Sequence, residues 1–126
     1  NNLEKVRGVL DWEMATVGNP MMDLGTTLAY WIQPGDPEVL KQLDLGPTLL
    51  EGNLTRDEIV ERYASQTGRD ADYADYCQVF GTYKVAVVGQ QLYYRYQQGH
   101  TDDPRLGQLI HAVRALAERA AGRVRS

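Results

Sequence analysis

The sequence predicts a mainly α-helical domain that opens with a short strand. Helix-start signals recur along the chain, and apolar residues repeat at helical spacing after each of them. Only the segment before Asp11 has the character of a strand. We therefore expect a strand remnant and four or five helices in one unit over residues 1–126.

The composition is that of an ordinary globular protein and excludes several classes of function. The hydrophobic fraction is 43% and the charged fraction is 24%. A net charge of −4 argues against sequence-independent nucleic-acid binding, which needs a basic face. No apolar run reaches membrane-spanning length, and we expect no signal segment. The single cysteine favours a reducing compartment, so we expect a cytoplasmic protein. From the net charge and the lack of a long apolar run, we expect no nucleic-acid or membrane partner.

The first predicted element is a strand over Leu3–Leu10 that ends at Asp11. A lone strand needs a partner to satisfy its backbone groups. Since all later apolar segments have helical spacing, we expect that partner to lie outside this chain. A helix then starts at Asn19-Pro20, because Asn caps unpaired amides and Pro fits the first helical position. Its apolar stripe comprises Met21, Leu24, Leu28 and Trp31.

Turn signals dominate residues 33–52, where only a short helix at Glu38–Leu43 is predicted. Thr55 and Glu58 form a capping box, which opens a helix that Gly68 ends. The chain has no internal repeat and no low-complexity linker.

The longest helix is predicted to start from a cap at Asp70 or Asp72 and to be closed by Gly99 after residue 98. Two glycines within it, Gly81 and Gly89, cost about 1 kcal/mol each relative to alanine. Each therefore indicates a kink or the close approach of another element. Aromatic and apolar side chains supply one face of this helix, namely Tyr73, Tyr76, Phe80, Tyr83, Val87 and Tyr94.

The last helix is predicted to open at Asp103-Pro104 and to end before Gly122, since the cap-plus-proline signal recurs there. Its amphipathic stripe comprises Leu106, Leu109, Ile110, Val113, Leu116, Ala117 and Ala120.

Two carboxylates follow the predicted strand. Asp11 stands where the strand ends, and Glu13 would point roughly the same way if the backbone stays extended. Two hard oxygen donors at this spacing suit Mg²⁺, which binds one or two carboxylates together with substrate phosphates and water. The spacing alone favours the plainer interpretation, in which the two residues begin a surface loop.

A third carboxylate, Asp23, lies early in the helix that starts at Asn19-Pro20, in a stretch expected to be partly buried. A negative charge there complements the helix dipole. A buried carboxylate would also need donors, such as the backbone N–H groups of a neighbouring loop. Dipole stabilisation and the bracing of a loop are equally compatible with the sequence.

The segment L-D-W-E-x-A-x-x-G-N-P-x-x-D-L-G, residues 10–25, resembles the second signature of the aminoglycoside phosphotransferase and choline kinase superfamily. That superfamily has a protein-kinase-like α+β fold, so the resemblance implies that this chain is part of its C-terminal lobe. The resemblance further implies ATP or GTP as phosphoryl donor, Mg²⁺ as cofactor and a small hydroxylated acceptor.

The resemblance also gives each carboxylate a role. Asp11 matches the aspartate that holds Mg²⁺ on the nucleotide phosphates, and Glu13 would lie near the same metal. Asp23 would brace the backbone of the catalytic loop. The Tyr30-Trp31 pair and the tyrosine-rich run Tyr93–Tyr96 look like a bacterial branch related to the kinase-like domain of certain acyl-CoA dehydrogenases.

Two departures from the family pattern bear on activity. Asn19 stands where the family usually has Asp, which keeps the helix cap but removes the charge. No H-G-D-x-x-x-x-N motif is present, so the catalytic-loop Asp and the nucleotide-covering N-terminal lobe are expected upstream. Residues 1–126 alone should therefore be inactive. The competing hypothesis is a non-catalytic helical interaction domain or a pseudokinase relic.

Other reactive side chains lack partners for a catalytic triad or a zinc site. His100 stands in a turn, His111 lies in the last helix, and Cys77 is expected to be a small core residue. Two classes of acceptor fit the sequence, an aminoglycoside and a hydroxylated acyl thioester. The aspartates within residues 70–75 give weak support to the aminoglycoside.

Overall fold

A computed structural model describes residues 5–43 and 45–124, except for the side chain of Met14. Within these ranges the chain forms five α-helices and two short 3₁₀ turns. The 3₁₀ turns are Trp12–Met14 and Pro47–Leu49. The helices are α1 at Pro20–Tyr30, α2 at Glu38–Lys41, α3 at Arg56–Thr67, α4 at Ala74–Gln97 and α5 at Pro104–Val124.

The predicted strand is wrong for residues 5–10, which are irregular and exposed. The described part of the chain contains no strand, so the backbone groups of this segment have no β-ladder to join. Its apolar side chains Val6, Val9 and Leu10 all face solvent. Residues 3 and 4 of the prediction lie outside the described ranges. The described fold is therefore helical, without the strand remnant.

The predicted starts of α1 and α3 are confirmed in atomic detail. The Asn19 side chain accepts a hydrogen bond from Met21 N at 3.0 Å. Thr55 N donates to Glu58 Oε2 at 2.7 Å, and Glu58 N donates to Thr55 Oγ1 at 3.2 Å. Each arrangement satisfies amides that the first turn of a helix leaves unpaired.

The predicted cap of α4 is wrong, although its end is confirmed. Asp70 Oδ1 accepts from Asp72 N at 2.8 Å, which makes a turn before the helix rather than a cap. Tyr73 takes the capping position and makes no side-chain capping bond. Gly99 closes the helix at φ 70°, as Gly68 closes α3 at φ 66°, in the left-handed conformation that glycine adopts without strain.

Two other helix ends differ from their predictions by two and three residues. The helix α2 stops at Lys41 rather than Leu43, and α5 continues past Gly122 to Val124. Differences of this size are usual because terminal turns fray.

The helices α1 and α4 approach each other backbone to backbone at Gly25 and Gly81. A Cβ atom on Gly81 would lie 2.7 Å from Thr26 N, and one on Gly25 would lie 2.9 Å from Cys77 Cβ. A Cβ atom on Gly89 would lie 3.0 Å from a methyl group of Val113 in α5. The close approach predicted at the two glycines of α4 is thus confirmed.

The aromatic face of α4 is largely exposed rather than packed against the other helices. Tyr76 and Tyr83 are 65% and 62% exposed, and Phe80 is 38% exposed. The helix instead buries a face of small and polar residues, which comprises Ala74, Cys77, Gln78, Gly81, Thr82 and Ala86. Small residues occupy this face because α1 and α5 come close to the helix axis there.

Two apolar clusters hold the helices together. In the first, Val60 and Tyr63 of α3 pack against buried Met21, Ala74 and Cys77. The second joins α2, α4 and α5 to the segment after α1, and its buried members are Ile32, Leu40, Ala86, Ala112, Ala115 and Leu116.

Candidate active site

Asp11 adopts a backbone conformation that is unusual for a residue with a side chain. Its φ of 70° and ψ of 51° lie in the left-handed region, and it is the sole non-glycine residue there within the described ranges. This conformation costs about 1 kcal/mol for most residues, although aspartate and asparagine tolerate it best. The carboxylate makes no capping hydrogen bond to the turn that follows, and the residue is exposed.

Glu13 lies within that 3₁₀ turn, and its side chain is also exposed. The expectation that Asp11 and Glu13 share a direction assumed extended backbone, and this premise is wrong because the chain turns at Asp11. Trp12 Nε1 donates to Val9 O at 2.7 Å and so joins the turn to the segment before it. The sequence thus places two carboxylates in one exposed turn, on a bent backbone.

Asp23 is exposed, whereas its neighbours Met22 and Leu24 are half-buried. The expectation of partial burial therefore holds for the stretch and not for the carboxylate itself. Asp23 lies in the first turn of α1, where its charge complements the helix dipole. Its carboxylate has no hydrogen-bond partner within the described part of the chain, while its carbonyl accepts from Thr27 Oγ1 at 3.0 Å. The bracing role stays a prediction.

The donor types at this turn fit a hard divalent cation. Carboxylate oxygens are the ligands that Mg²⁺ prefers, and it needs only one or two of them when phosphates and water complete its shell. Within the described residues no group of three or more His, Cys, Asp or Glu side chains is arranged to hold a metal.

A buried charged cluster that the sequence did not predict is formed by Asp36, Arg56 and Arg119. Arg56 donates to both carboxylate oxygens of Asp36, at 2.7 and 2.8 Å, and Arg119 Nη1 lies 3.6 Å from Asp36 Oδ2. The surrounding Pro-Gly-Asp-Pro run indicated only a turn, and the partners lie far along the chain. The sequence pattern therefore contained no signal for this contact.

The electrostatics of this cluster follow from its burial. Burial alone would raise the pKa of Asp36, but hydrogen bonds from Arg56 and Gln33 N and the charges of both arginines outweigh it, so the pKa lies below its ordinary value. Burial, reinforced by the charge of Arg56, lowers the pKa of Arg119 to about 10. Asp36 and Arg119 are consequently both charged at neutral pH.

The remaining reactive residues lie where the sequence predicted. Cys77 is buried, its Sγ lies 3.5 Å from Met22 Sδ, and burial raises the pKa of its thiol. His100 is exposed after the end of α4, and His111 is exposed on α5.

The three carboxylates lie in a part of the chain that is similar to a family of enzymes. Residues 3–60 match the model of the phosphotransferase enzyme family, and this span includes Asp11, Glu13 and Asp23. This match confirms the resemblance to the aminoglycoside phosphotransferase superfamily.

None of the helices in the described ranges is long and apolar enough to cross a bilayer.

Curated relatives narrow the relationship. The chain is 28% identical over 120 residues to acyl-CoA dehydrogenase family member 11 of Mus musculus, covering 90% of this chain and 15% of that protein. The protein of the same name from Rattus norvegicus is 26% identical over 118 residues, with the same coverage of both chains. The chain thus spans about 15% of the length of these relatives. No solved structure gives a significant match.

Proposed function

We propose that this chain is part of an ATP- or GTP-dependent phosphotransferase that phosphorylates a hydroxyl group of a small molecule. One observation carries the proposal: the family match includes Asp11, whose exposed carboxylate follows a left-handed backbone at the start of a turn. Strained backbone conformations cluster at functional sites, where the surrounding structure holds them in place.

Each carboxylate has a distinct part in this proposal. Asp11 would bind Mg²⁺ on the nucleotide phosphates, and Glu13 would assist from the same turn. When bound, Mg²⁺ supplies charge neutralisation for the phosphates. Asp23 would accept hydrogen bonds from backbone N–H groups of the catalytic loop and so hold that loop in place. These residues lower the barrier by positioning and by fixed charge rather than by covalent chemistry.

The remaining machinery is proposed to lie elsewhere in the whole protein. The chain spans about 15% of its curated relatives, and its sequence holds no catalytic-loop motif. The rest of the protein would supply the base that orients the acceptor hydroxyl and the lobe that covers the nucleotide. The name of the relatives includes acyl-CoA, so a hydroxylated acyl thioester stands beside an aminoglycoside as the acceptor.

The proposal is tested by Mg²⁺-dependent nucleotide turnover of the full-length protein and its Asp11→Asn variant. Asparagine retains the size of the side chain and tolerates the left-handed backbone, so the change removes mainly the charge. Loss of a direct metal ligand should lower kcat by at least about 100-fold. The control is Asp102→Asn, which changes an exposed aspartate between α4 and α5 and should leave turnover unchanged.

Equal turnover by the wild type and the Asp11 variant would refute the metal role. A second measurement tests the claim that residues 1–126 are incomplete. The isolated chain should show little saturable binding of Mg·ATP in a titration calorimeter, and tight binding would contradict that claim.

The exposed aromatic face of α4 favours a second candidate, a helical interaction domain without catalysis. Tyr76, Phe80 and Tyr83 present aromatic surface that this chain does not bury. A full-length protein that binds no nucleotide in the presence of Mg²⁺ would favour this candidate over the phosphotransferase.

A further inference from the structure

The exposed face of α4 has the residue spacing of a surface that packs against another helix. Its members lie three and four residues apart in strict alternation along the helix. We call this row of side chains the aromatic seam, and its members are Tyr73, Tyr76, Phe80, Tyr83, Val87, Gln90 and Tyr94. A mean spacing of about 3.5 residues keeps such a row in line with a second helix over several turns, as in a coiled coil.

Most of the aromatic seam is open to solvent in this chain. Four of its five aromatic residues are at least 60% exposed, and the fifth, Phe80, is 38% exposed. Gln78 and Thr82, which are buried, lie on the opposite side of α4, the side that contacts α1 and α5. The described helices therefore do not cover this face.

The exposed rings form an apolar surface that is substantial but smaller than a stable dimer needs. Taking about 200 Å² for a whole aromatic residue, the five rings expose roughly 600 Å². A patch of this size marks an interaction surface. A stable contact between two separate proteins buries about 800 Å² on each partner, so the seam alone would hold a second copy only weakly. A helix of the same polypeptide needs less area, because its tether keeps it at a high effective concentration.

One edge of the aromatic seam is basic. Lys84 directly follows Tyr83, and Arg95 directly follows Tyr94. Lys84 and Arg95 are about three helical turns apart, so both lie along the same edge. Both side chains are exposed, and neither forms an ion pair within the described part of the chain. A helix with acidic residues at the matching positions would complement this edge.

We propose that the aromatic seam packs against an amphipathic α-helix of the same polypeptide, outside residues 1–126, whose acidic residues lie next to Lys84 and Arg95. The inference rests on the proposed function, in which this chain is one part of a longer protein, and the chain spans about 15% of the length of its curated relatives. The contact joins the helices described here to the remainder of the protein. Residues 1–126 by themselves leave the seam open, so its rings contribute little to the stability of this chain alone.

The first test measures how fast a thiol reagent modifies single cysteine substitutions in the full-length protein. Tyr76→Cys and Tyr83→Cys should react at least about 10-fold more slowly than Ala121→Cys, because the packed helix excludes the reagent until it opens. Ala121 is the control position, since it is an exposed residue of α5, away from the seam. Buried Cys77 gives the same slow background in every variant. Equal rates for Tyr83→Cys and Ala121→Cys would show that the seam is open and would overturn the proposal.

The same labelling experiment identifies the source of the helix. Protection by a helix of the same polypeptide does not depend on protein concentration, so the ratio of the two rates should stay constant on dilution. Protection that disappears on dilution, together with a dimer in sedimentation equilibrium, would identify a second copy as the occupant. That result would overturn the assignment to the same polypeptide.

A charge reversal tests the basic edge. Lys84→Glu should speed the modification of Tyr83→Cys in the full-length protein, because the new carboxylate repels the acidic residues of the packed helix. The control is Arg114→Glu, which changes an exposed arginine of α5 and should leave the rate unchanged. If both reversals change the rate equally, the acidic helix is not next to Lys84.

The outcome of these experiments is separate from that of the proposed function. Thiol modification does not depend on phosphoryl transfer, and the substituted seam residues are not among the three carboxylates. A full-length protein can therefore lose turnover in Asp11→Asn while its seam is open, or keep a protected seam without any turnover.

Discussion

Arg56 donates from two guanidinium nitrogens to the two carboxylate oxygens of Asp36, at 2.7 and 2.8 Å. The two side chains are only 9% and 5% exposed. Arg56 also donates to Trp31 O at 2.8 Å, and Asp36 accepts from Gln33 N at 2.9 Å. The pair therefore fixes the loop after α1 against the first residue of α3.

Asp36→Asn should destabilise the protein strongly. The change removes the one carboxylate that Arg56 and Arg119 share, and breaking a buried ion pair costs about 3–5 kcal/mol. Chemical denaturation at pH 7 measures the free energy of unfolding. The control is Glu38→Gln, whose partner Lys41 lies in the same helix and whose side chain is 71% exposed. Such a surface pair contributes about 0.5 kcal/mol or less.

The ion pair between Asp36 and Arg56 also predicts how the stability of the wild type and of Asp36→Asn changes in acid. Since the pKa of Asp36 is lowered in the folded state, its stabilisation is complete above the unfolded-state pKa of about 3.9. The stabilisation is lost as the pH falls through the lower folded-state pKa. The stability gap between the wild type and Asp36→Asn should thus stay constant from pH 5 to 8 and narrow below about pH 4. A constant gap down to pH 2 would contradict this assignment.

Local signals accounted for much of the fold. Asn19 and the Thr55–Glu58 box start their helices through contacts within three residues, so the sequence contains the whole interaction. Gly81 was predicted to mark a kink or the close approach of another element, because glycine within a helix destabilises it unless another interaction compensates. The partner, Gly25, was not predictable, since it lies 56 residues earlier and its position depends on how the helices cross.

One wrong prediction and two features that the sequence did not predict have a common physical origin. The segment before Asp11 formed no strand because pairing depends on a second strand that the described residues lack. The aromatic face of α4 was expected from spacing, which identifies a face but does not say whether it is packed. The cluster at Asp36 depends on partners from three separate segments. In each case tertiary structure decided the outcome.

At the candidate site, the sequence predicted the local elements but not the geometry of the side chains. Asp11 and Glu13 do occupy one turn, but the left-handed backbone of Asp11 has no signature in a D-x-E pattern. Asp23 lies in the first turn of a helix as expected, and its exposure could not be inferred from its half-buried neighbours.

Gly81→Ala should destabilise the protein even though alanine favours helices. A Cβ atom at this position would lie 2.7 Å from Thr26 N and would overlap the backbone of Gly25. Backbone atoms cannot rotate away as a side chain can, so α1 and α4 must separate, at a cost of about 3 kcal/mol. The measurement is the free energy of unfolding by urea denaturation.

The control for this change lies in α5. A Cβ atom on Gly122 would meet nothing within 4 Å, so Gly122→Ala should stabilise the protein by about 0.5–1 kcal/mol. Similar effects of the two substitutions would show that the helices α1 and α4 do not touch at Gly81.

The exposed face of α4 predicts that removing its aromatic rings has little effect on folding. Tyr76→Ser should change the free energy of unfolding by no more than about 0.5 kcal/mol, because 65% of the residue is already exposed and both residue types have similar helix propensity. Leu28→Ala is the comparison within the core, where the side chain is 1% exposed and its loss should cost about 2–5 kcal/mol. Both values come from the same denaturation experiment. A loss at Tyr76 as large as that at Leu28 would show that the aromatic face is packed in solution.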